Sequence, residues 1–322
     1  MQYYYLVAGL TEYPFDIEAA AAGGLKIDVP EIKRTILGEL APADRRAVEL
    51  LYTYYDILNI VGYVKRTGLP FNVLGNLSHK EVALLVDRTV EGEGEGTLLP
   101  EELAAREEEL AVPAAIKAVV ERFRGGQAEE GAGELAPLSV EDLERELFLN
   151  FYRVCEGTAE GSGWFGLVAR LPEFLRRWAE YDRTVRNIVA AYKARQLGWP
   201  AEVRARMIVE ERQELREAYV SGLAQDFGMR DRFPYTEEVL QVLETEDFVE
   251  RERRMDALRV RMADDLAEQD YFGVGRVMDY LIRLNILYRW TALEAGRGRE
   301  EFRELVAGLT EAEAIGRATA RR

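Results

Sequence analysis

One histidine (His79) and one cysteine (Cys155) stand in 322 residues, and those two scarcities exclude whole classes of chemistry. A carboxylate-bridged di-iron bundle needs two Glu-x-x-His motifs, and zincin and His-rich zinc sites need at least two imidazoles, so all of them are excluded by count. A lone cysteine cannot close an internal disulfide. Cys155 sits among Phe151, Tyr152 and Val154, as a core residue of a chain that belongs in a reducing compartment would. No apolar run reaches the ~18 to 20 residues needed to cross a bilayer. The opening Tyr3-Tyr4-Tyr5-Leu6-Val7-Ala8-Gly9-Leu10 lacks the length and basic flank of a signal peptide. These absences predict a soluble, cytoplasmic protein. Strand signals are scarce as well: Tyr3 to Ala8 fits an extended segment, but no alternating β-branched run follows to pair with it.

Positive charge is in deficit. Against 42 basic side chains stand 58 acidic ones, a net charge of −16, which argues against nucleic acid or an anionic lipid surface as the main partner. Residues 91–146 alone hold 16 acidic and 5 basic groups. This segment reads first as a solvated, flexible insertion and second as a docking surface for a basic partner. Glycine runs at Gly92 to Gly96 and Gly125 to Gly133 bracket a short helix expected near Glu101 to Arg124.

What the chain has in abundance is helical periodicity. Between Pro42 and Arg66, Val48, Leu51, Tyr55 and Leu58 form one apolar row, and Leu50, Tyr54, Ile57, Val61 and Val64 form a second beside it. A helix from about Glu173 to Leu197 carries Trp178, Tyr181, Val185, Ile188 and Tyr192, with Arg177, Arg183, Arg186 and Lys193 off the stripe. Another, from about Val274 to Ala295, carries Val277, Leu281, Leu284 and Tyr288. Charged helices are expected from Ala201 to about Gln225 and from Phe248 to about Leu266. Capping patterns begin at Ser139 (before Asp142), Thr310 (before Glu313) and Thr236 (after Pro234).

The three apolar helices echo one another. Tyr55-Asp56 leads to Asn59 and Gly68-Leu69-Pro70; Tyr181-Asp182 leads to Asn187 and Gly198-Trp199-Pro200; Asp279-Tyr280 leads to Asn285 and Gly296. The fold class expected is all-α, with three diverged helical modules over residues 1–90, 139–228 and 229–322 and the acidic insertion at 91–138. The alternative is that an Asn on a Gly-capped helix is simply common.

Catalytic motifs fail on context. Gly161-Ser162-Gly163-Trp164-Phe165-Gly166 spells a dinucleotide fingerprint, but a helix precedes it where a strand is required, and Ser162 reads as a helix cap. No G-x-x-x-x-G-K-[ST] loop exists. Asp226-Phe227-Gly228 lacks the H-R-D loop of a kinase and reads as a helix end. His79, after Ser78, reads as a helix entry. Glu210, Glu214 and Glu217 are expected along one helix that also carries Arg212 and Arg216, which reads as a solvated, charge-paired face; a carboxylate-based hydrolase built on them stays open as an alternative. No cofactor or metal is predicted.

The opening segment, the Tyr55-Asp56 to Asn59 helix with Phe71-Asn72-Val73-Leu74-Gly75-Asn76-Leu77-Ser78 after it, and the Asp182 to Gly198 helix together resemble, over nearly the full length, a bacterial family of unassigned biochemistry that accompanies V-type ATPase components. More remotely, the triple Asp, Asn, Gly module is similar to the C-type subunit of the V/A-type ATPase, the d-type subunit of vacuolar enzymes. There, three helical bundles form a funnel that sits on the membrane rotor ring and receives the foot of the central stalk. The segment from Val277 to Gly298 matches best, through Tyr280-Leu281-Ile282, Arg289 and Leu293. It departs at Asn285, Leu287 and Trp290-Thr291, where acidic residues and an Asn-Leu-Arg run are expected. The resemblance implies a noncatalytic rotor-coupling subunit in ATP-driven H⁺ or Na⁺ transport. Its partners would be the central-stalk subunits and the proteolipid ring, and protein contacts would hold it at the inner face of the cell membrane. Tyr55, Asp56, Asn59, Asp182, Asn187, Asp279, Tyr280, Asn285 and Arg289 are the candidate module-core or partner-contact residues. An assembly or regulatory scaffold is the alternative of the same kind.

Overall fold

The computed structural model describes residues 2–21, 27–89, 100–125, 138–158 and 171–292, and among them are helices and no strand. In chain order they are α1 (Tyr4–Ala8), α2 (Ile17–Ala21), α3 (Val29–Glu39), α4 (Pro42–Lys65), α5 (His79–Asp87), α6 (Pro100–Glu109) and α7 (Ala114–Gly125). After them come α8 (Val140–Glu156), α9 (Glu173–Gln196), α10 (Ala201–Met207), α11 (Gln213–Ser221), α12 (Thr236–Leu243), α13 (Phe248–Ala267) and α14 (Val274–Ala292). The fold is all-α, as the periodicity predicts.

Local chemistry explains most boundaries. Helix α4 opens on Pro42, whose missing N–H costs nothing in a first turn. It closes where Arg66 turns left-handed (φ 49°) and Thr67 N–H reaches back to the Gly62 carbonyl. Ser139 caps α8 by accepting from Asp142 N–H at 3.2 Å, and Ser78 and Glu81 form a reciprocal capping box on α5. Thr236 departs from expectation: it is the first residue inside α12, and its hydroxyl donates backwards to the Phe233 carbonyl instead of capping. The opening Tyr3 to Ala8 segment is helical rather than extended, because the Val7 N–H bonds back to the Tyr3 carbonyl while Tyr3 N–H is taken by Phe272 O.

Three long helices run in one direction. A Cβ placed on Gly275 would lie 3.3 Å from the Phe174 Cβ, so α9 and α14 begin side by side. Tyr3 reaches both the start of α4, donating to Asp44 at 2.5 Å, and Phe272 O just ahead of α14. Midway along, the Tyr52 hydroxyl of α4 donates to Asn285 Oδ1 of α14. Helix α8 lies antiparallel between α4 and α9. On one flank Phe148 and Phe151 meet Tyr54, and Glu144 meets Lys65; on the other Glu144 takes Arg186, Tyr152 takes Asp182 and Glu156 takes Arg183. Phe148 and Tyr152 are fully buried, and side chains of that size contribute ~1.5–3 kcal/mol each when removed from water. Helix α13 returns antiparallel to α14, from Asp264 at Arg276 to Asp256 at Trp290.

Two expectations change. The charged helix from Ala201 to Gln225 is two helices, because Ile208, Val209 and Glu210 are drawn into the core as an extended, buried connection. Within the acidic insertion, the single helix expected near Glu101 to Arg124 is the pair α6 and α7, interrupted over residues 110–113 ahead of α7. Ile116, Val119, Val120 and Phe123 of α7 are buried, and Arg124 ties the pair down by donating to the Leu85 carbonyl and pairing with Glu107. The first glycine run, the second beyond Gly125, the Gly161 to Gly166 motif, Gly296 and the Thr310 cap lie outside the described residues.

Candidate functional site

The asparagines of the first two echoes perform the same task. Asn59 Nδ2 donates to the Asn72 carbonyl at 2.9 Å while its Oδ1 accepts the Asn72 N–H at 2.8 Å. Asn187 grips Val209 identically, at 3.0 and 2.8 Å. A carboxamide is the one side chain that presents a donor and an acceptor side by side, matching both groups of a peptide unit. In each case a long helix pins the backbone of the segment that follows it. Asn285 differs: it is buried and accepts from the Tyr52 hydroxyl.

Around the first pin, a buried acid and a buried base hold the loop from opposite sides. Asp56 accepts from Asn76 N–H, Leu77 N–H and Asn76 Nδ2. Lys33 donates to the Leu74 and Gly75 carbonyls and to Asn76 Oδ1, with its ammonium 3.9 Å from the centre of the Tyr52 ring. Burial pushes the Asp56 carboxyl up to about 6 against the pull of those N–H groups and Lys33, and pushes Lys33 down to about 8. Gly75 is required here, since a Cβ would stand 2.5 Å from Asp56 Oδ1.

A second polar assembly lies among α4, α8, α9, α13 and α14. Tyr54 and Tyr55 from α4, Asp182 and Arg186 from α9, Arg259 from α13 and Arg289 from α14 interact electrostatically there. The side chains of Arg186 and Arg259 stay 25% and 29% exposed, and both tyrosines are half-buried, so the assembly lines a crevice that water enters. Asp256, at its floor, takes Arg259, Arg289 and the Trp290 indole N–H. Burial opposes the charge on Arg259, but Asp256, Tyr54 and Asp182 outweigh it and hold its pKa up. Burial raises Tyr54 and Tyr55 above ordinary phenols, and raises Tyr152 with the help of Asp182, to which its hydroxyl donates at 2.6 Å. None of these phenols is a base near neutral pH.

The predicted residues therefore divide. Tyr55, Asp182 and Arg289 meet at the crevice. Asp56, Asn59 and Asn187 are backbone pins. Asp279 is buried between Arg276 and Arg283, and Tyr280 turns to the opposite side, donating to Thr11 O. Glu210 is not on a helix with Glu214 and Glu217: it sits buried in the extended connection with Arg212 and Arg183, which hold its pKa down despite burial, while the other two stand exposed on α11. Asp226-Phe227-Gly228 is a turn beyond the end of α11, with Phe227 buried beneath Arg195. His79 opens α5 with its ring against Tyr63 and Phe71. Arg259, Asp256, Lys33 and Val209 escaped sequence reasoning. The adjacent pair Tyr54-Tyr55, on the edge of an otherwise aliphatic stripe, was the one local sign of the crevice.

Among the described residues no group of three or more His, Cys, Asp or Glu side chains is placed to hold a metal ion, and no helix is long and apolar enough to cross a membrane. A cleft of about 610 Å³ opens between α9, α12 and α13, with Tyr181, Phe233 and Tyr235 on one wall and Met262 and Leu266 on the other.

Fold and site together define an all-helical protein organised on three parallel helices, with paired polar pins and a balanced acid and arginine crevice. The chain belongs to the family described as "Protein of unknown function (DUF2764)", which it matches over residues 1–105 and 169–313. No curated protein and no solved structure matches it. Helices α7 and α8 fall outside the matched residues, although α8 is the strut between α4 and α9.

Proposed function

We propose that this protein is a noncatalytic coupling subunit of a V-type ATPase, similar in role to the C-type subunit of V/A-type enzymes or the d-type subunit of vacuolar ones. It would link the central stalk to the proteolipid ring during ATP-driven H⁺ or Na⁺ transport and sit peripherally at the inner face of the cell membrane. One observation carries the reading: α4, α9 and α14 run parallel around a water-entered crevice, each with an Asp and an Asn in its middle turns. Such a body transmits force through packed helices, and interlocked aromatic side chains resist deformation because interiors are packed as densely as organic crystals. The three modules, 1–90, 139–228 and 229–322, are part of this proposal. A net charge of −16 suits the docking of a basic stalk tip.

Affinity purification of the intact ATPase through a tagged catalytic subunit tests the role. Recovery of this chain in fixed stoichiometry with the central stalk is the expected result. Its absence from the purified enzyme, or a substoichiometric amount, would replace the coupling role with that of an assembly or regulatory scaffold.

A further inference from the structure

Helix α13 leaves an apolar row half covered. Leu258, Met262 and Leu266 stand four residues apart and so share one face of the helix, and all three stay half-buried where that face borders the cleft between α9, α12 and α13. Opposite them stand Tyr181 of α9 and, from the turn that enters α12, Phe233 and Tyr235. The Tyr235 ring lies 4.9 Å from that of Tyr181 and 5.9 Å from that of Phe233. Thr236 locks the turn by donating both its N–H and its hydroxyl to the Phe233 carbonyl. The aromatic wall is thus set before anything enters the cleft, so no ordering of it opposes binding.

One polar atom of that wall has no partner. Tyr181 is 3% exposed, and among the described residues no hydrogen bond engages its hydroxyl, whose oxygen still reaches water. Burial raises its pKa above that of an ordinary phenol, so at neutral pH it keeps its proton and offers both a donor and an acceptor. The rim is charged but even: Arg177, Arg232 and Arg261 stand against Glu180, Glu238 and Asp265, and Arg261 of α13 pairs with Glu238 of α12.

We infer that this cleft is a binding site for a small aromatic molecule of no net charge that carries a hydrogen-bonding group for the Tyr181 hydroxyl. Its volume of about 610 Å³ lies within the roughly 300–1,000 Å³ of pockets that enclose such ligands. The wall rings offer offset-stacked and edge contacts, and Met262, unbranched and polarizable, adapts to the shape that enters. A ligand with net charge of either sign would meet both signs at the rim and gain little. A purely apolar occupant, such as the stripe of a partner helix, would seal the Tyr181 hydroxyl from water with nothing to bond, a cost that a ligand N–H or O–H avoids. The inference does not depend on the coupling role: ligand binding tests one and ATPase purification the other.

Fluorescence titration of the full chain with N-phenylnaphthylamine tests it, because this uncharged aromatic probe carries an N–H and brightens when it leaves water. Saturable binding at a single site is the expected result, with anilinonaphthalenesulfonate, the same skeleton bearing an anion, binding more weakly. Tyr181→Phe keeps the ring and its packing and removes the hydroxyl alone, so it should weaken the neutral probe roughly two- to tenfold, the net worth of one hydrogen bond. Met262→Trp fills the cleft and should abolish saturation with the far-UV spectrum unchanged. Leu223→Ser, whose parent side chain is 98% exposed and outside the cleft, should leave binding as it is. Absence of saturable binding by the parent, a sulfonate that binds as tightly as the neutral probe, undiminished binding in Tyr181→Phe, or binding retained in Met262→Trp would overturn the assignment.

Discussion

Replacing Asn187 by leucine isolates the energetic worth of a backbone pin. The two side chains are similar in volume, so little cavity or overpacking is introduced. Asn187 and Val209 are both buried, at 0% and 1% exposure, so water cannot substitute for the carboxamide. The Val209 N–H and carbonyl would each be left unsatisfied at ~1–3 kcal/mol, a loss of roughly 2–6 kcal/mol in all. Urea unfolding should show that loss as a lower midpoint. Amide exchange should show it locally, with protection disappearing at Val209 and the following residues before the rest of the molecule opens. Asn59→Leu is the internal comparison: its partner Asn72 is only half-buried and can be rehydrated, so that loss should be smaller, ~1–2 kcal/mol. A loss below ~1 kcal/mol for Asn187→Leu, with Val209 still protected, would refute the idea that these asparagines hold the extended segments in place.

Three further outcomes are expected. Asp56 has a folded-state pKa of about 6 against an ordinary 3.8, so the native state binds its proton more tightly. That contribution is fully present below the ordinary value and is lost as pH rises through about 6, for a total of roughly 3 kcal/mol. The unfolding free energies of the parent and Asp56→Asn should therefore diverge between pH 4 and 7, and parallel profiles would contradict the assignment. Gly75→Ala forces a Cβ onto Asp56 and should cost ~1–3 kcal/mol in a thermal melt. Binding to purified central-stalk subunits, if electrostatic as proposed, should weaken when salt is raised from 0.1 to 1 M and the screening length falls from about 10 to 3 Å; salt-insensitive binding would remove that part of the proposal.

Helices whose stability is written in local periodicity were legible in the sequence: α4, α9, α13 and α14 begin at the expected residues, because Pro42, Pro172, Asp247 and the apolar spacing are local signals. The break between α10 and α11 was not legible, since what unwinds residues 208–210 is a carboxamide 22 positions earlier. The echo of Asp and Asn was visible, and its meaning was visible only in part. Asn59 and Asn187 share a geometry, while Asp56 binds backbone, Asp182 accepts a phenol and Asp279 binds two arginines. Spacing along a helix reports which face a residue occupies and not what faces it. For the same reason Arg259 and Asp256, on a helix expected only to be charged, turned out to close the crevice.

Although α4, α9 and α14 point the same way, α8 and α13 run against them from within the same body, so the peptide dipoles of two of the three are offset by a neighbour and little of a summed macrodipole survives. The basic side chains of the last turns, Lys65, Lys193, Arg195 and Arg289, therefore answer the bare carbonyls of their own helix ends one by one. A charge change in one such last turn should act on that helix alone, within the single turn over which a terminal dipole is felt.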